Sequence, residues 1–323
     1  MLDTPPAPVW DEVLEETVSL LSRMIQTDTT NPPGNELALG RYIASVLEGA
    51  GIQTLLVEPT PGRAAVIGRI RGTGPARAVL LLAHMDVVAA DPAGWTVPPF
   101  GGTVHDGYVY GRGAIDDKGM LAANLMTMLL LQRAIARTGI PLTRDVVFVA
   151  TPDEEGPGEW GIGWLATHHP DLLSAEFAIN EGGRIRVVDG RPLYAAVQTA
   201  EKVANLVTVT AHGTGGHAAI PVPDNAVALL CKAVARIAAH REPFRLLPTT
   251  SEFFQQLSQV WPNRAEARAM RDLASREVVR SARAAARLAR VPAFGAVLRT
   301  GISPTVLAGG SAHNVIPETA SAT

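Results

Sequence analysis

A histidine and an aspartate follow an apolar run, Val79–Ala83, and stand two residues apart. The run predicts a strand buried on both faces of a parallel sheet. Such sheets bind ligands at the carboxyl ends of their strands. Residues two apart on a strand point to the same side, so His84 and Asp86 would face one crevice. A histidine beside a carboxylate suits a metal ligand, although a capped histidine at a strand end explains the pair equally well.

Two adjacent aspartates, Asp116 and Asp117, lie in a glycine-bounded loop before an apolar helix predicted over Met120–Arg137. A carboxylate near a helix N-terminus is favourable by itself. The helix N-terminus would explain one aspartate at this place, but it explains two adjacent aspartates less well. The flanking glycines indicate a backbone that another group approaches closely.

Acidic residues also follow two further predicted strands, Asp145–Ala150 and Ala175–Ile179. These acids are Asp153, Glu154, Glu155 and Glu181. Consecutive acids repel one another unless a cation lies among them. Together with the histidine and the paired aspartates, they predict a cluster of oxygen and imidazole ligands suited to two divalent ions, with zinc as the best match.

The length of 323 residues favours two domains. A net charge of -3 without a basic cluster argues against nucleic-acid binding, and the single Cys231 excludes an internal disulfide. The first residues lack the pattern of a secretory signal, and no apolar run is long enough for a membrane span. We therefore expect a cytoplasmic protein with neither a nucleic-acid nor a membrane partner.

The remaining segments predict an amphipathic first helix, ended by Asn31–Gly34, and a second half of different character. An alternating strand is expected at Asn205–Ala211, and helices at Asn225–Ala239 and Asp272–Arg290. A strand is expected at Pro304–Leu307. The glycine-rich stretch around residues 212–221 lacks the G-x-G-x-x-G pattern of a phosphate-binding loop.

From about Val18 onwards, five separated motifs resemble those of the co-catalytic zinc metallopeptidase family of aminoacylase, carboxypeptidase S, acetylornithine deacetylase and succinyl-diaminopimelate desuccinylase. The motifs include those above and the segments around His217 and Asn314. The resemblance implies an α/β fold with a mostly parallel-sheet zinc-exopeptidase catalytic domain, residues 1–196. An inserted α+β, ferredoxin-like lid and dimerisation domain would occupy residues 197–323.

The resemblance also implies two Zn²⁺ ions, which Co²⁺ or Mn²⁺ could replace. His84 and Glu181 would bind the first ion and Glu155 the second. Asp116 would bridge both ions, and the peptide bond that follows this residue is often cis in the family. A segment beyond residue 323 would supply the last histidine ligand of the second ion, so the expected ligand set and both domains are incomplete in this sequence.

Other roles are implied for residues around the metals. Asp86 would orient His84, and Glu154 would be the general base for the metal-activated water. His217 would reach the active site of the partner subunit in a homodimer and polarise the scissile carbonyl. Asn314 would help to hold the substrate. Trp95, in a proline-rich loop, would form part of the substrate pocket, unless that loop is only a hydrophobic plug.

The implied activity is hydrolysis of an amide or peptide bond in a small carboxylate-bearing substrate, either a peptide or an N-acyl amino acid. The enzyme would be an exopeptidase, a dipeptidase or a deacylase. One alternative is a catalytically silent or incomplete homologue that acts as a binding or dimerisation module. Another is a metal-free protein that binds a ligand at the sheet edge, which would leave the clustered acids without a cation.

Overall fold

The computed structural model describes residues 9–323, which fall into two units. The first unit ends at Glu181, and the second is Gly182–Thr323. The division lies before residue 196, where the resemblance puts the domain boundary. A hairpin of Arg184–Val188 and Arg191–Ala196 accounts for the difference, because its Tyr194 packs against helices of the second unit.

The first unit alternates helices and strands. In chain order they are α1 (Trp10–Ile25), α2 (Leu37–Gly49), β1 (Gln53–Thr60), β2 (Arg63–Ile70), β3 (Gly72–His84), β4 (Thr103–His105), β5 (Tyr108–Tyr110), α3 (Lys118–Thr138), β6 (Leu142–Thr151), α4 (Ile162–His168) and β7 (Ala175–Ile179). Short 3-10 helices occur at Pro92–Gly94 and Pro170–Leu173.

Five of these strands form one mixed sheet in the order β1-β2-β6-β3-β7. β3 runs parallel to β6 and β7, whereas β1 with β2 and β2 with β6 are antiparallel. The sheet is therefore mixed rather than mostly parallel, because a tight turn after Thr60 reverses the chain between β1 and β2.

Helices cover both faces of this sheet, as the α/β class predicts. Phe148 of β6 packs among α1, α2 and α3, whereas its neighbours Val147 and Val149 pack with Leu165 of α4. This alternation follows from the two-residue period of a strand. The 21-residue α3 would be long and apolar enough to cross a membrane, but in the fold its apolar side chains, such as Leu125, lie in the core.

The second unit contains shorter strands and more helices. In chain order they are β8 (Arg184–Val188), β9 (Arg191–Ala196), β10 (Val209–His212), β11 (Gly216–His217), α5 (Ala226–Ala239), α6 (Pro248–Val260), α7 (Arg264–Asp272), α8 (Val278–Leu288), α9 (Pro292–Leu298), β12 (Leu307–Gly309), β13 (Val315–Ile316) and β14 (Thr319–Ala322).

An antiparallel sheet, β10-β14-β12, packs against α5, and α6 to α9 form a separate apolar cluster. The helix predicted over Asp272–Arg290 is present but shorter, because α7 ends at Asp272 and α8 spans only Val278–Leu288. Met270 and Leu288 lie in the same cluster, so the chain folds back between the two helices. The strand predicted from Asn205 begins only at Val209.

Candidate metal centre

Parallel pairing brings three strand ends to one edge of the first unit's sheet. His84 ends β3 opposite Thr151, the last residue of β6, and β7 pairs along the other side of β3. The loops that follow β6 and β7 leave from this edge and carry Glu154, Glu155 and Glu181. The predicted acids and the histidine therefore meet at the carboxyl ends of the strands.

The imidazole of His84 is buried, and the contacts made by one of its ring nitrogens fix its orientation. Nδ1 lies 3.0 Å from the backbone oxygen of Asp86 and 3.5 Å from Oδ1 of the same residue, so Nδ1 carries a proton. Nε2 faces three carboxylates, at 3.0 Å from Asp116, 3.7 Å from Glu181 and 3.9 Å from Glu154. A histidine metal ligand is held in this way, with one nitrogen fixed by a partner and the other presented to the ion.

The two adjacent aspartates have different environments. Their peptide bond is cis, as the resemblance implies. The side chain of Asp116 is 63% exposed, whereas Asp117 is buried and its Oδ2 accepts a hydrogen bond from the backbone N–H of His84 at 3.3 Å. Asp117 directly precedes α3, but its side chain accepts no capping hydrogen bond from the helix. Asp117 therefore does not cap α3 through its side chain, which is turned to the backbone of His84 instead.

The electrostatics of the cluster show a concentration of negative charge. Burial and the charge of Glu181 raise the pKa of Asp117 to about 7. Burial also raises the pKa of Glu155. Burial alone would lower the pKa of His84, but the hydrogen bond and charge of Asp86 lead the interactions that raise it to about 10. A bound cation would favour the ionised carboxylates and the neutral imidazole.

Asp86 lies fully buried behind these groups. Its Oδ1 accepts a hydrogen bond from the backbone N–H of Glu154 at 3.1 Å, and its Oδ2 accepts one from that of Glu155 at 2.9 Å. The side-chain amide of Asn31 donates to Oδ2 at 2.8 Å. Although burial opposes ionisation, these bonds and the one from His84 hold the pKa of Asp86 below its usual range. One carboxylate thus fixes both the imidazole and the glutamate pair.

Two sets of three ligand atoms lie within 4.8 Å of one another and could each hold a metal ion. The first set comes from His84, Asp116 and Glu155, and the second from His84, Asp117 and Glu181. All four ligands implied by the resemblance fall within these sets. Asp117 is the addition, and its only sequence signal is its place in the Asp-Asp pair.

Three other predicted site residues are not members of these two ligand sets. His217 and Asn314 are neighbours in the second unit, where the backbone N–H of Ala218 donates to the carbonyl oxygen of Asn314 at 3.0 Å. Trp95 lies in the first unit, with the guanidinium of Arg112 at 5.4 Å from its ring centroid. The predicted roles of these three residues in catalysis or substrate binding stay predictions.

Sequence analysis also misses a buried polar layer formed by Asn31, Arg63 and Asp153. From the sequence, Asn31 is only part of a helix-ending turn, and Arg63 has no distinguishing neighbour. Asp153 carries a faint signal as the first of three consecutive acids. In the structure, Asn31 and Arg63 both bind the carboxylate of Asp153, at 2.9 and 3.2 Å.

Residues 80–269, more than half of the chain, match the model of the peptidase family M20/M25/M40. The chain belongs to this family. The match confirms the resemblance inferred from the motifs and agrees with an α/β catalytic unit followed by a smaller α+β unit.

Relatives of this M20 chain include proteins that act on acylated compounds according to their names. It is 28% identical over 291 residues to the Homo sapiens N-fatty-acyl-amino acid synthase/hydrolase PM20D1, covering 88% of the chain and 56% of the relative. It is 32% identical over 254 residues to the succinyl-diaminopimelate desuccinylase of Rhodospirillum centenum, covering 73% and 62%. The chain thus spans little more than half the length of these curated relatives.

A solved structure supports the fold. The M20 family metallo-carboxypeptidase Sso-CP2 from Sulfolobus solfataricus superposes with a TM-score of 0.59 at 18% identity, covering 95% of this chain and 70% of that structure. At that identity, the likeness establishes the fold and not the substrate.

Proposed function

We propose that this M20 chain hydrolyses the amide or peptide bond of a small carboxylate-bearing substrate with the help of two divalent ions, best matched by Zn²⁺. The observation that carries the proposal is the set of carboxylates around Nε2 of His84, at the carboxyl edge of the sheet. Imidazole and carboxylate donors at such spacing suit zinc. Membership of a peptidase family supports the same conclusion.

The charge balance behind the cluster fits a bound cation. Among the described residues, seven ionisable side chains are buried, and all lie in this part of the first unit. They are Glu36, Arg63, His84, Asp86, Asp117, Lys118 and Asp153. When the four carboxylates are all ionised and His84 is neutral, they exceed the two cationic side chains by two negative charges. A divalent ion would compensate this excess.

We assign the first ion to His84, Asp116 and Glu181, and the second to Asp116 and Glu155. Co²⁺ or Mn²⁺ would be substitutes. Asp117, beside the backbone N–H of His84, contributes negative charge to the first site. Elemental analysis of the purified protein measures how many ions it binds.

Bound divalent ions would lower the pKa of a water molecule and polarise the substrate carbonyl. Glu154 is the proposed general base, because its half-exposed carboxylate lies beside His84 and its backbone is fixed by Asp86. It would take a proton from the attacking water and deliver it to the nitrogen of the leaving amine. His217 would donate a hydrogen bond to the oxygen that becomes negatively charged.

The proposed substrates are N-acyl amino acids and short peptides with a free carboxylate. The names of the two curated relatives, one for N-fatty-acyl-amino acids and one for succinyl-diaminopimelate, support an amide of this kind. We further propose that Asn314 and Trp95 contact the substrate, that the second unit forms a homodimer, and that the protein works in the cytoplasm.

The test compares the unmodified protein with Glu154→Gln and, as a control, Glu159→Gln, which changes an exposed glutamate in the same loop. Release of free amine is measured on a panel of N-acyl amino acids and dipeptides, and bound metal is measured by elemental analysis. We expect Glu154→Gln to lose about 10²–10⁴-fold in rate with unchanged metal content, and Glu159→Gln to match the unmodified protein. Metal binding without any turnover would favour the silent-homologue alternative, and no bound metal would refute the metal centre.

A further inference from the structure

We propose that Asn31 is a positioning residue, whose side-chain amide sets where the Glu154–Glu155 turn lies relative to His84. The idea rests on the proposed function only in taking His84 and Glu155 as metal ligands. The described hydrogen bonds of Asn31 go to Asp86, Asp153 and Val87, and not to these two residues.

The amide of Asn31 joins two buried carboxylates from different elements. Its Nδ2 donates to Oδ2 of Asp86 at 2.8 Å and to Oδ1 of Asp153 at 2.9 Å. A side-chain amide nitrogen has two hydrogens, so both are used. The backbone N–H of Asn31 also donates to the carbonyl oxygen of Val87 at 2.9 Å. Asn31 therefore links the end of β3 to the loop that follows β6.

Asp153 controls the shape of that loop. Its backbone adopts the left-handed conformation, with φ of 63°, immediately before the glutamate pair. Its Oδ2 accepts the backbone N–H of Trp160 at 3.0 Å, which closes the loop. Burial opposes its ionisation, but that bond, Asn31 and the Arg63 guanidinium hold the pKa of Asp153 below its usual range. Asn31 thus bridges the two carboxylates with the two hydrogens of a single amide nitrogen.

An independent observation shows how closely the loop packs on this amide. A Cβ built on Gly156 would lie 2.4 Å from Nδ2 of Asn31 and 2.5 Å from Oδ1 of Asp153. Neither atom is at the free end of a flexible chain, because each is held by the hydrogen bonds described above. Gly156→Ala should therefore disturb the hydrogen bond between Asn31 and Asp153 without changing the identity of either residue.

The first measurement needs no metal. Hydrogen exchange is followed in the EDTA-treated full chain for Asn31→Ala, Gly156→Ala and a control, Asn124→Ala, which removes another buried amide, one bonded to the carbonyl of Leu82 at 3.3 Å. Loss of a buried hydrogen bond should make the amides of Glu154 and Glu155 exchange about 10-fold faster in the first two variants. The control should leave these amides unchanged.

The second measurement is Co²⁺ titration followed by the visible absorption of the bound ion. Removing a group that orients metal ligands typically weakens affinity about 10–100-fold, which we expect for Asn31→Ala and Gly156→Ala but not for the control. Faster exchange spread evenly over the first unit, or local change with unaltered Co²⁺ affinity, would overturn the proposal. If the unmodified protein binds no Co²⁺, the proposed function fails, and the local exchange result alone decides whether Asn31 positions the turn.

Discussion

Asp117→Asn is expected to stabilise the metal-free protein and to weaken its metal binding. Asp117 is buried, and burial with the charges of Glu181 and Asp116 raises its pKa to about 7 from an ordinary 3.8. Asparagine has nearly the same shape, and its oxygen can still accept the N–H of His84. The substitution therefore removes the charge and little else.

The size of the effect follows from the pKa. Between pH 3.8 and 7, folded Asp117 keeps a proton that the unfolded chain has released, so the free energy of unfolding falls as pH rises through this window. Above pH 7 the carboxylate is ionised in both states and the full penalty applies. The two pKa values differ by an amount that corresponds to about 4 kcal/mol. The asparagine variant would carry no such penalty, so the gain should be largest at pH 8 and vanish near pH 4.

Urea unfolding of EDTA-treated protein tests this between pH 4 and 8.5. Tryptophan fluorescence suits the assay, because four of the five tryptophans lie in the first unit. Asp116→Asn is the matched control, since it makes the same charge change on a side chain that is 63% exposed and should give a smaller gain. The reasoning is refuted if Asp117→Asn unfolds more easily than the unmodified protein at pH 8. It is also refuted if the free energy of unfolding of the variant changes between pH 4 and 7 as steeply as that of the unmodified protein.

Two further predictions concern the buried ion pairs and the second unit. Arg63→Met should lower the free energy of unfolding by about 3–5 kcal/mol, because it leaves two buried acids without their cation. Arg133→Met breaks an exposed pair and should cost about 0–1 kcal/mol in the same assay; equal losses would contradict the burial argument. His217→Ala should reduce turnover without releasing metal, and mixing it with Glu154→Gln should restore some activity through hybrid dimers. The absence of any restoration would argue against a histidine that acts across a dimer.

Much of the fold follows from local pattern. β7 has the predicted bounds, Ala175–Ile179, and Asn225 caps the helix expected to start there by accepting the N–H of Ala228. The later start of the helix predicted over Asp272–Arg290 has a tertiary cause. Alanine and arginine favour helix along the whole segment, and the break arises where the chain folds back to bury Met270 and Leu288 together.

The residues of the candidate site also differ in whether the sequence alone could predict them. His84 and the acids at strand ends could be found because a buried strand indicates the place where its last residues emerge. Asn31 and Arg63 could not, because their partners are distant in sequence and no periodic pattern marks them. Asp117 was visible as an acid, but its distinction from Asp116 depends on burial beside the N–H of His84.

The buried ionisable side chains lie together in one part of the chain, and this placement needs a physical reason. Burying ionised groups costs stability, and well-packed apolar side chains in their place would often be at least as stable. In the described part of the chain, buried ionisable side chains are confined to the region around His84, while the core elsewhere is built from apolar residues such as Phe148 and Phe254. A cation at the proposed centre would offset both the burial and the neighbouring negative charge that raise the pKa of Asp117. We therefore expect the buried Asp117 carboxylate to weaken the metal-free fold and to favour a metal-bound one.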